Sequence, residues 1–469
     1  MPGPEDCSRK GAAARQRSGE LSPGAQHQAG PPNAADPDFG RALARNSCAA
    51  GAAEACGSAT KLALPSSSSS SSSASSSGSK KARKEAARRE AVLQAFSAHY
   101  AAQYGKRRWE GSLLPALRGP QRYCCLVNTF AERADVARAL APVLERMELC
   151  SYFRNPRDPA MSLVCYQEKE RRPAEEDGEG PDRPAPGAEA GFLPFPRPSR
   201  DARNLATHYL LDLSSLLATQ ALDVAPHHRV LDTCSAPGGK ALALAMRLGP
   251  SGRLHVNEPN GERRKHLRRV LDEYLPAGMV GSGGDVDAVV SVGGVDVSRH
   301  RAGDRFPCGA GGYDRVLVDA PCSGERHLLR SPADLARWTP ARAAALAKKQ
   351  RLILAEALRA CAPGGRVVYA TCSLSAAEND AVVEWAAASR RAGGGAVIDC
   401  ERPPPRAWPV GETTRLGWAV LPDTAGRWGP LYFAVLLKRK DGARRTAGSR
   451  TSASDGEEEE EEDVNCSDE

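Results

Sequence analysis

The sequence predicts an α/β protein, with a mostly parallel, doubly wound sheet, a small N-terminal α+β lobe and disordered ends. Three observations point there. From residue 201 onward, short apolar runs alternate with amphipathic stretches of helical period. The apolar runs are continuous, as in strands covered by helices on both faces. The flanks are instead rich in Ala, Gly, Pro, Ser or acids, and bury too little apolar surface to offset the entropy of ordering them.

The elements follow in chain order. Residues 1–84 read as a disordered head, with a serine tract from 66 and a basic run, KKARK, at 80–84 that starts the next helix. The lobe, 85–167, holds a helix over 85–104, a strand over 123–128 and a helix over 132–147. Residues 168–199, acidic and Pro-rich, read as a surface insertion or linker. The main domain, 200–440, opens with strand 228–234, helix 240–247, strand 253–258 and helix 262–274. Further strands are expected at 288–292, 314–319, 366–369 and 431–437, with helices over 340–361 and 376–390. Residues 441–469 read as a disordered acidic tail. In such sheets ligands bind beyond the carboxyl ends of the strands.

Composition bounds the partners. The chain has 469 residues, and Gly 44 with Pro 35 make up about 17% of it, which suggests a folded part diluted by chain that does not fold. No run of 18 apolar residues exists, so no membrane partner is expected. The net charge of +7 is an average: residues 441–469 carry eleven acids against three arginines, leaving +15 on residues 1–440. A basic body suits a polyanionic partner, or equally a soluble surface. The 14 cysteines contain no CxxC pair, so no metal site is expected, and free thiols in a reducing compartment fit best.

Three strand ends carry chemistry. The first strand runs into DTCSAPGGK (232–240), a glycine turn opening a helix, without the spacing of a phosphate-binding or dinucleotide-binding loop. The second ends in Glu258, placed as an acid that accepts from ribose hydroxyls. Two more end in DAPCSG (319–324) and YATCSL (369–374), each setting a cysteine just past a strand. A thiolate adding to C6 of a pyrimidine makes C5 nucleophilic, which splits one hard methylation into easier steps. Asp319 would bond the base edge, and the second thiol would help the adduct break down. Either cysteine fits the attacking role on spacing alone.

These motifs, in this order, resemble the Sun/Nop-type family of S-adenosylmethionine-dependent RNA cytosine-C5 methyltransferases, over about residues 200–440. The closing pair GWAVLPD and WGPLYFA (417–434) is similar to that family too. NLATHYLLDLSSLL (204–217) and YCCLVNTF (123–130) resemble its short mitochondrial branch, which lacks an appended RNA-binding module. The resemblance implies a Rossmann-like class I methyltransferase fold. It implies Cys372 as nucleophile, Cys322 as the helper in release, and Asp319 beside the target base. It implies a cofactor loop of Cys234, Ser235, Ala236, Pro237, Gly238, Gly239 and Lys240, with Glu258 on the ribose and Arg263 near the cofactor. Asp296 is the choice for the adenine-contacting acid, with Asp285 or Asp287 as alternatives. The expected partner is RNA with a single-stranded or loop cytosine, with a protein partner possible for added RNA affinity. Branch resemblance places the protein in the mitochondrion, although the N-terminus carries acids unlike a presequence; nucleus, nucleolus or cytoplasm are the alternatives. A non-catalytic RNA-binding or ribosome assembly factor on the same fold is the alternative function.

Overall fold

The computed structural model describes residues 76–153, 162–169, 195–281, 288–299, 301–307, 311–389, 395–401 and 408–439. The head up to residue 75, most of the 168–199 stretch, the acidic tail, and Asp285 and Asp287 lie outside the described residues.

Helix α1 (Ser76–Tyr104) carries Val92, Phe96 and Tyr100 at intervals of one turn, and this stripe packs with Trp109, Trp338 and Leu374. Gly105, at φ +84°, lies just beyond its end, and a bent helical segment over 106–118 follows, with a π turn at Trp109–Leu113. The helix therefore lies on main-domain residues, against the backs of the strand ends where the cysteines sit.

The lobe is a four-stranded antiparallel sheet. Strand β1 (Cys124–Val127) leads to α2 (Arg133–Leu140), then β2 (Met147–Leu149), β3 (Cys165–Glu168) and β4 (His208–Leu211), in the spatial order β2-β3-β1-β4. The helix expected over 132–147 stops early. Pro142 has no N–H to continue α geometry, so Ala141–Arg146 tightens to a 3₁₀ turn and Met147 starts a strand. Strand β4 was not legible from its four half-buried residues, and it carries the lobe's sheet past residue 200. Asp212, accepting from Ser214 N–H, then caps α3 (Leu213–Ala221).

The main sheet begins with β5 (Arg229–Asp232), α4 (Gly239–Ala245), β6 (Arg253–Asn257), α5 (Gly261–Tyr274) and β7 (Val290–Gly293). It continues with β8 (Tyr313–Asp319), α6 (Glu325–Arg330), α7 (Pro340–Ala360), β9 (Cys361–Thr371) and α8 (Asp380–Ala388). Strands β10 (Ile398–Glu401), β11 (Glu412–Thr413), β12 (Trp418–Val420) and β13 (Leu431–Lys438) complete it. The order is β11-β12-β13-β9-β8-β5-β6-β7, with β10 also paired to β13. Strands β9, β8, β5, β6 and β7 run parallel, and β13 joins antiparallel to β9. Leu231, Val316, Val318, Val367 and Tyr369 are buried in the core between sheet and helices, which is why these strands read as unbroken apolar runs.

The chain steps outward from β5 to β6 and β7, then returns to the other side of β5 for β8 and β9. At that reversal the loops after β5 and β8 leave in opposite directions and open a crevice.

Candidate active site

The crevice is built from glycine contacts upward. Gly238 has φ +124°, and a Cβ there would lie 3.1 Å from Val270 Cγ1 of α5. A Cβ on Gly239 would lie 2.8 Å from the Tyr209 ring of β4. The loop after β5 is thus wedged between a helix of the main domain and a strand of the lobe. Ser235 braces it: its hydroxyl donates to the Asp232 carbonyl at 2.9 Å and accepts from Asn257 N–H at 3.0 Å. Of the expected cofactor loop, Cys234 and Ala236 line the adjoining cavity. Ser235, Gly238 and Gly239 shape the turn, Pro237 is exposed, and Lys240 faces elsewhere.

That first cavity holds about 410 Å³ and runs along the ends of β5, β6, β7 and β8. Glu258, almost fully buried, accepts from Asn260 N–H at 2.9 Å and lies 3.1 Å from Arg263 Nη1. Arg263 also donates to the Ala236 carbonyl at 2.9 Å, tying the acid to the loop. Asp296 lines the same cavity, with the Ser298 hydroxyl at 2.6 Å. That hydrogen bond, joined by the Ser298 N–H, holds its carboxyl below the usual range. Val297, Pro321 and Ile353 supply apolar walls between the two acids. Lys349 and Ile353 enter from α7, and nothing in the motif pattern marked them.

A second cavity, of about 290 Å³, lies on the other side of Asp319. Gln121, Asp212, Ser214 and Ser215 face it from the lobe side, and Arg326, His327 and Arg330 from α6. Residues Gly429, Pro430 and Leu431 close it. Arg326 is buried and donates to the carbonyls of Gly429, Arg427 and Pro120, pinning the closing loop; burial pulls its guanidinium down to about 10. Lys240 Nζ stands 2.8 Å from Asp319 Oδ2. Burial alone would lower the lysine's pKa, but the charge of Asp319 and this bond outweigh it and hold it above its ordinary value. Behind them Asp232 is wholly buried with Oδ2 unpartnered; burial and the charge of Asp319 push its carboxyl up to about 7.

The two strand-end thiols meet where the cavities meet. Cys322 Sγ and Cys372 Sγ are 3.0 Å apart, and both are free. Cys372 is exposed and, like Asp319, lines both cavities; Cys322 is partly buried and lines the first. The bond to Cys372, then burial, pushes the Cys322 thiol well above the ordinary cysteine range. At this separation either thiol can give a hydrogen bond to its neighbour's sulfur. Cys234 is raised to about 12 by burial.

Comparison with known proteins agrees with this geometry. Residues 219–393 match the family model described as 16S rRNA methyltransferase RsmB/F. The chain is 30% identical over 380 residues to the 5-cytosine rRNA methyltransferase NSUN4 of Xenopus laevis, covering 74% of this chain and 90% of that one. It is 31% identical to the mitochondrial tRNA (cytosine(34)-C(5))-methyltransferase of Danio rerio, covering 74% and 88%. The crystal structure of NSun6 from Pyrococcus horikoshii with SFG shares the fold, with TM-score 0.50, 18% identity, and coverage of 74% and 98%.

Proposed function

We propose, from the premise that the chain belongs to the Sun/Nop family of RNA cytosine-C5 methyltransferases that carries the RsmB/F domain, that Cys372 forms the covalent bond to the target base and Cys322 assists release. The protein is an S-adenosylmethionine-dependent RNA (cytosine-C5)-methyltransferase. The first cavity suits this cofactor, with two acids at its ends and an apolar slot between. Glu258 would accept from the ribose hydroxyls, Asp296 would face the adenine edge, and the turn that carries Cys234 and Ala236 would border the amino-acid portion. When bound, the cofactor supplies an electrophilic methyl group at the crevice.

One observation carries the assignment of roles: Cys372 and Asp319 border both cavities, so a base in the second can meet the first only beside them. Cys372, as a thiolate, adds to C6 of cytosine, and the C5–C6 π electrons make C5 the nucleophile. Asp319 accepts from the exocyclic amino group and orients the ring, while Lys240 holds the Asp319 carboxylate. After C5 has gained its methyl, its proton passes to solvent water, the electrons of the C5–H bond restore C5=C6, and Cys372 leaves as a thiolate. The protonated Cys322 thiol, 3.0 Å away, gives that leaving sulfur a hydrogen bond. The base must leave its stack to enter the second cavity, which favours a single-stranded or loop cytosine. His327 and Arg330, both exposed on α6, would meet the adjoining phosphates.

The relatives are named for rRNA and for tRNA, and both classes remain within this reading. We propose mitochondrial residence from the same relatives, one of which is described as mitochondrial. Transfer of labelled methyl to total and mitochondrial RNA tests the roles. Cys372→Ala is expected to abolish transfer, and a variant as active as wild type would overturn the nucleophile assignment. Cys322→Ala is expected to accumulate an RNA adduct that survives denaturant. That adduct in Cys372→Ala instead would exchange the two roles.

A further inference from the structure

Behind the two thiols lies a buried network that the reaction itself does not use. Ser323 follows Cys322 and Ser373 follows Cys372, and their hydroxyls are 2.8 Å apart. Two carboxylates, Glu325 and Glu378, each 0% exposed, enclose this pair. Glu378 accepts from the Ser373 hydroxyl at 2.9 Å, from Ser323 N–H at 3.1 Å and from Gln350 at 2.7 Å, and also contacts the Ser323 hydroxyl. Glu325 accepts from Leu374 N–H at 2.8 Å and from the Tyr100 hydroxyl at 2.6 Å, and also meets the Ser323 hydroxyl.

Helix α1 closes the arrangement from outside. Gln103 and Tyr104 donate to the Leu374 carbonyl at 2.6 and 2.8 Å, and Gln103 accepts from Ala376 N–H at 3.1 Å. Leu374 is therefore held at its N–H by one glutamate and at its carbonyl by α1. Asn379 donates to the Ser373 carbonyl at 2.9 Å, and the Thr371 hydroxyl accepts from Ser373 N–H at 3.2 Å. Every residue from 371 to 374 except Cys372 is bonded into this frame.

Two buried carboxylates cost folding free energy unless hydrogen bonds offset their lost hydration. Among the described residues, neither Glu325 nor Glu378 has a cationic partner. A pair of apolar side chains would serve packing at lower cost, and such costly polar groups concentrate where geometry must be exact to a fraction of an ångström.

We propose that Glu378 and Glu325, together with Tyr100, Gln103 and Tyr104 of α1, are positioning residues that hold the Cys322 and Cys372 loops in one register and so set the distance between the two sulfurs. The proposal rests on the cysteine roles given above for its catalytic consequence, but not for its geometric one. The serines are the link: each carboxylate touches the residue after a cysteine rather than the cysteine itself. The register of the thiols is thus fixed through the backbone.

The test separates geometry from catalysis. Diamide takes the two thiol hydrogens and is reduced to its hydrazine, leaving a Cys322–Cys372 disulfide that peptide mapping identifies. Glu378→Ala is expected to slow that closure about tenfold, and the single-turnover methyl-transfer rate by a similar factor, equivalent to roughly 1.4 kcal/mol, with little change in RNA affinity. Alkylation of Cys372 by iodoacetamide should not slow, since the thiol stays exposed. Glu378→Gln can turn its carbonyl toward Ser323 N–H and Gln350 and its NH₂ toward the hydroxyls, and is expected to restore both rates. Should Glu378→Ala fail to fold, Tyr100→Phe removes one bond to Glu325 and Ser373→Ala removes those of its hydroxyl to Glu378, Ser323 and Ser375 N–H, and both should give smaller losses in the same two rates. Closure and transfer at wild-type rates in folded Glu378→Ala or Ser373→Ala would overturn the proposal. Slowed closure in a protein whose wild type methylates no RNA would overturn the cysteine roles and leave the positioning intact.

Discussion

The two cavities that meet at Asp319 are assembled in opposite ways. The cofactor side comes mostly from the turns after four successive strands, β5 to β8, with Arg263 added by α5, Lys349 and Ile353 by α7 and Cys372 by the end of β9. The base side is gathered from residues 121, 212, 214, 215, 240, 319, 324, 326, 327, 330, 372 and 429–431, drawn from the lobe, α3, α6 and the closing loop among others. A cofactor pocket of this kind is a property of the fold, whereas a substrate pocket is a property of how the lobe is set on it. Changes on the two sides should therefore be separable, except at the residues they share.

Asp319 and Cys372 are the shared residues, and after the loss expected of Cys372→Ala the largest effect should be that of Asp319→Asn. It loses the Lys240 ion pair, the negative charge beside the base and one of two acceptor oxygens, and turnover is expected to fall about a thousandfold, read as single-turnover methyl transfer. Glu258→Ala should act on one side: S-adenosylmethionine binding by calorimetry is expected to weaken about 10- to 100-fold, with RNA affinity unchanged. A matching loss of RNA affinity would mean that the cavities are coupled. Arg330→Ala belongs to the other side. Filter binding should show RNA affinity reduced a few-fold and the salt slope reduced by about one, with cofactor affinity intact.

The smallest effect concerns stability. Asp232 has its folded pKa raised to about 7, so the folded state holds its proton more tightly than the unfolded chain does. The stability this contributes is complete below the ordinary carboxylate range and is lost as pH rises toward and through about 7. Asp232→Asn should thus raise the melting temperature more at pH 8 than at pH 5. An equal shift at both would remove Asp232 as the source of that slope.

Legibility in the sequence follows the same division. Cys234, Glu258, Asp296, Asp319, Cys322 and Cys372 were all readable, because each sits one to three residues past the end of an apolar strand, or at it. The parallel sheet was readable for a related reason: strands buried on both faces leave unbroken apolar runs. Gln121, Asp212 and Arg330 were not, since they belong to polar stretches whose proximity depends on tertiary contact between segments up to 217 residues apart. Nothing in the sequence pattern marked Glu325 or Glu378: the first meets Tyr100 of α1 and the second Gln350 of α7, tertiary contacts that no local pattern encodes. The early stop of the helix after Leu140 could have been read from Pro142, and β4 was too short to stand out.

The contact between Gly239 and Tyr209 bears on how small a working enzyme can be made. The family model begins at residue 219, which invites a trimmed catalytic fragment starting there. Such a fragment would lack β4, and with it the ring that rests 2.8 Å from where a Cβ of Gly239 would stand. It would also lack Asp212, whose carboxylate holds Gly429 N–H at 3.0 Å, and α1, which seats Leu374. The lobe and the N-terminal helix are on this view the mould in which the catalytic turns are cast, and the shortest active protein would begin ahead of Tyr100.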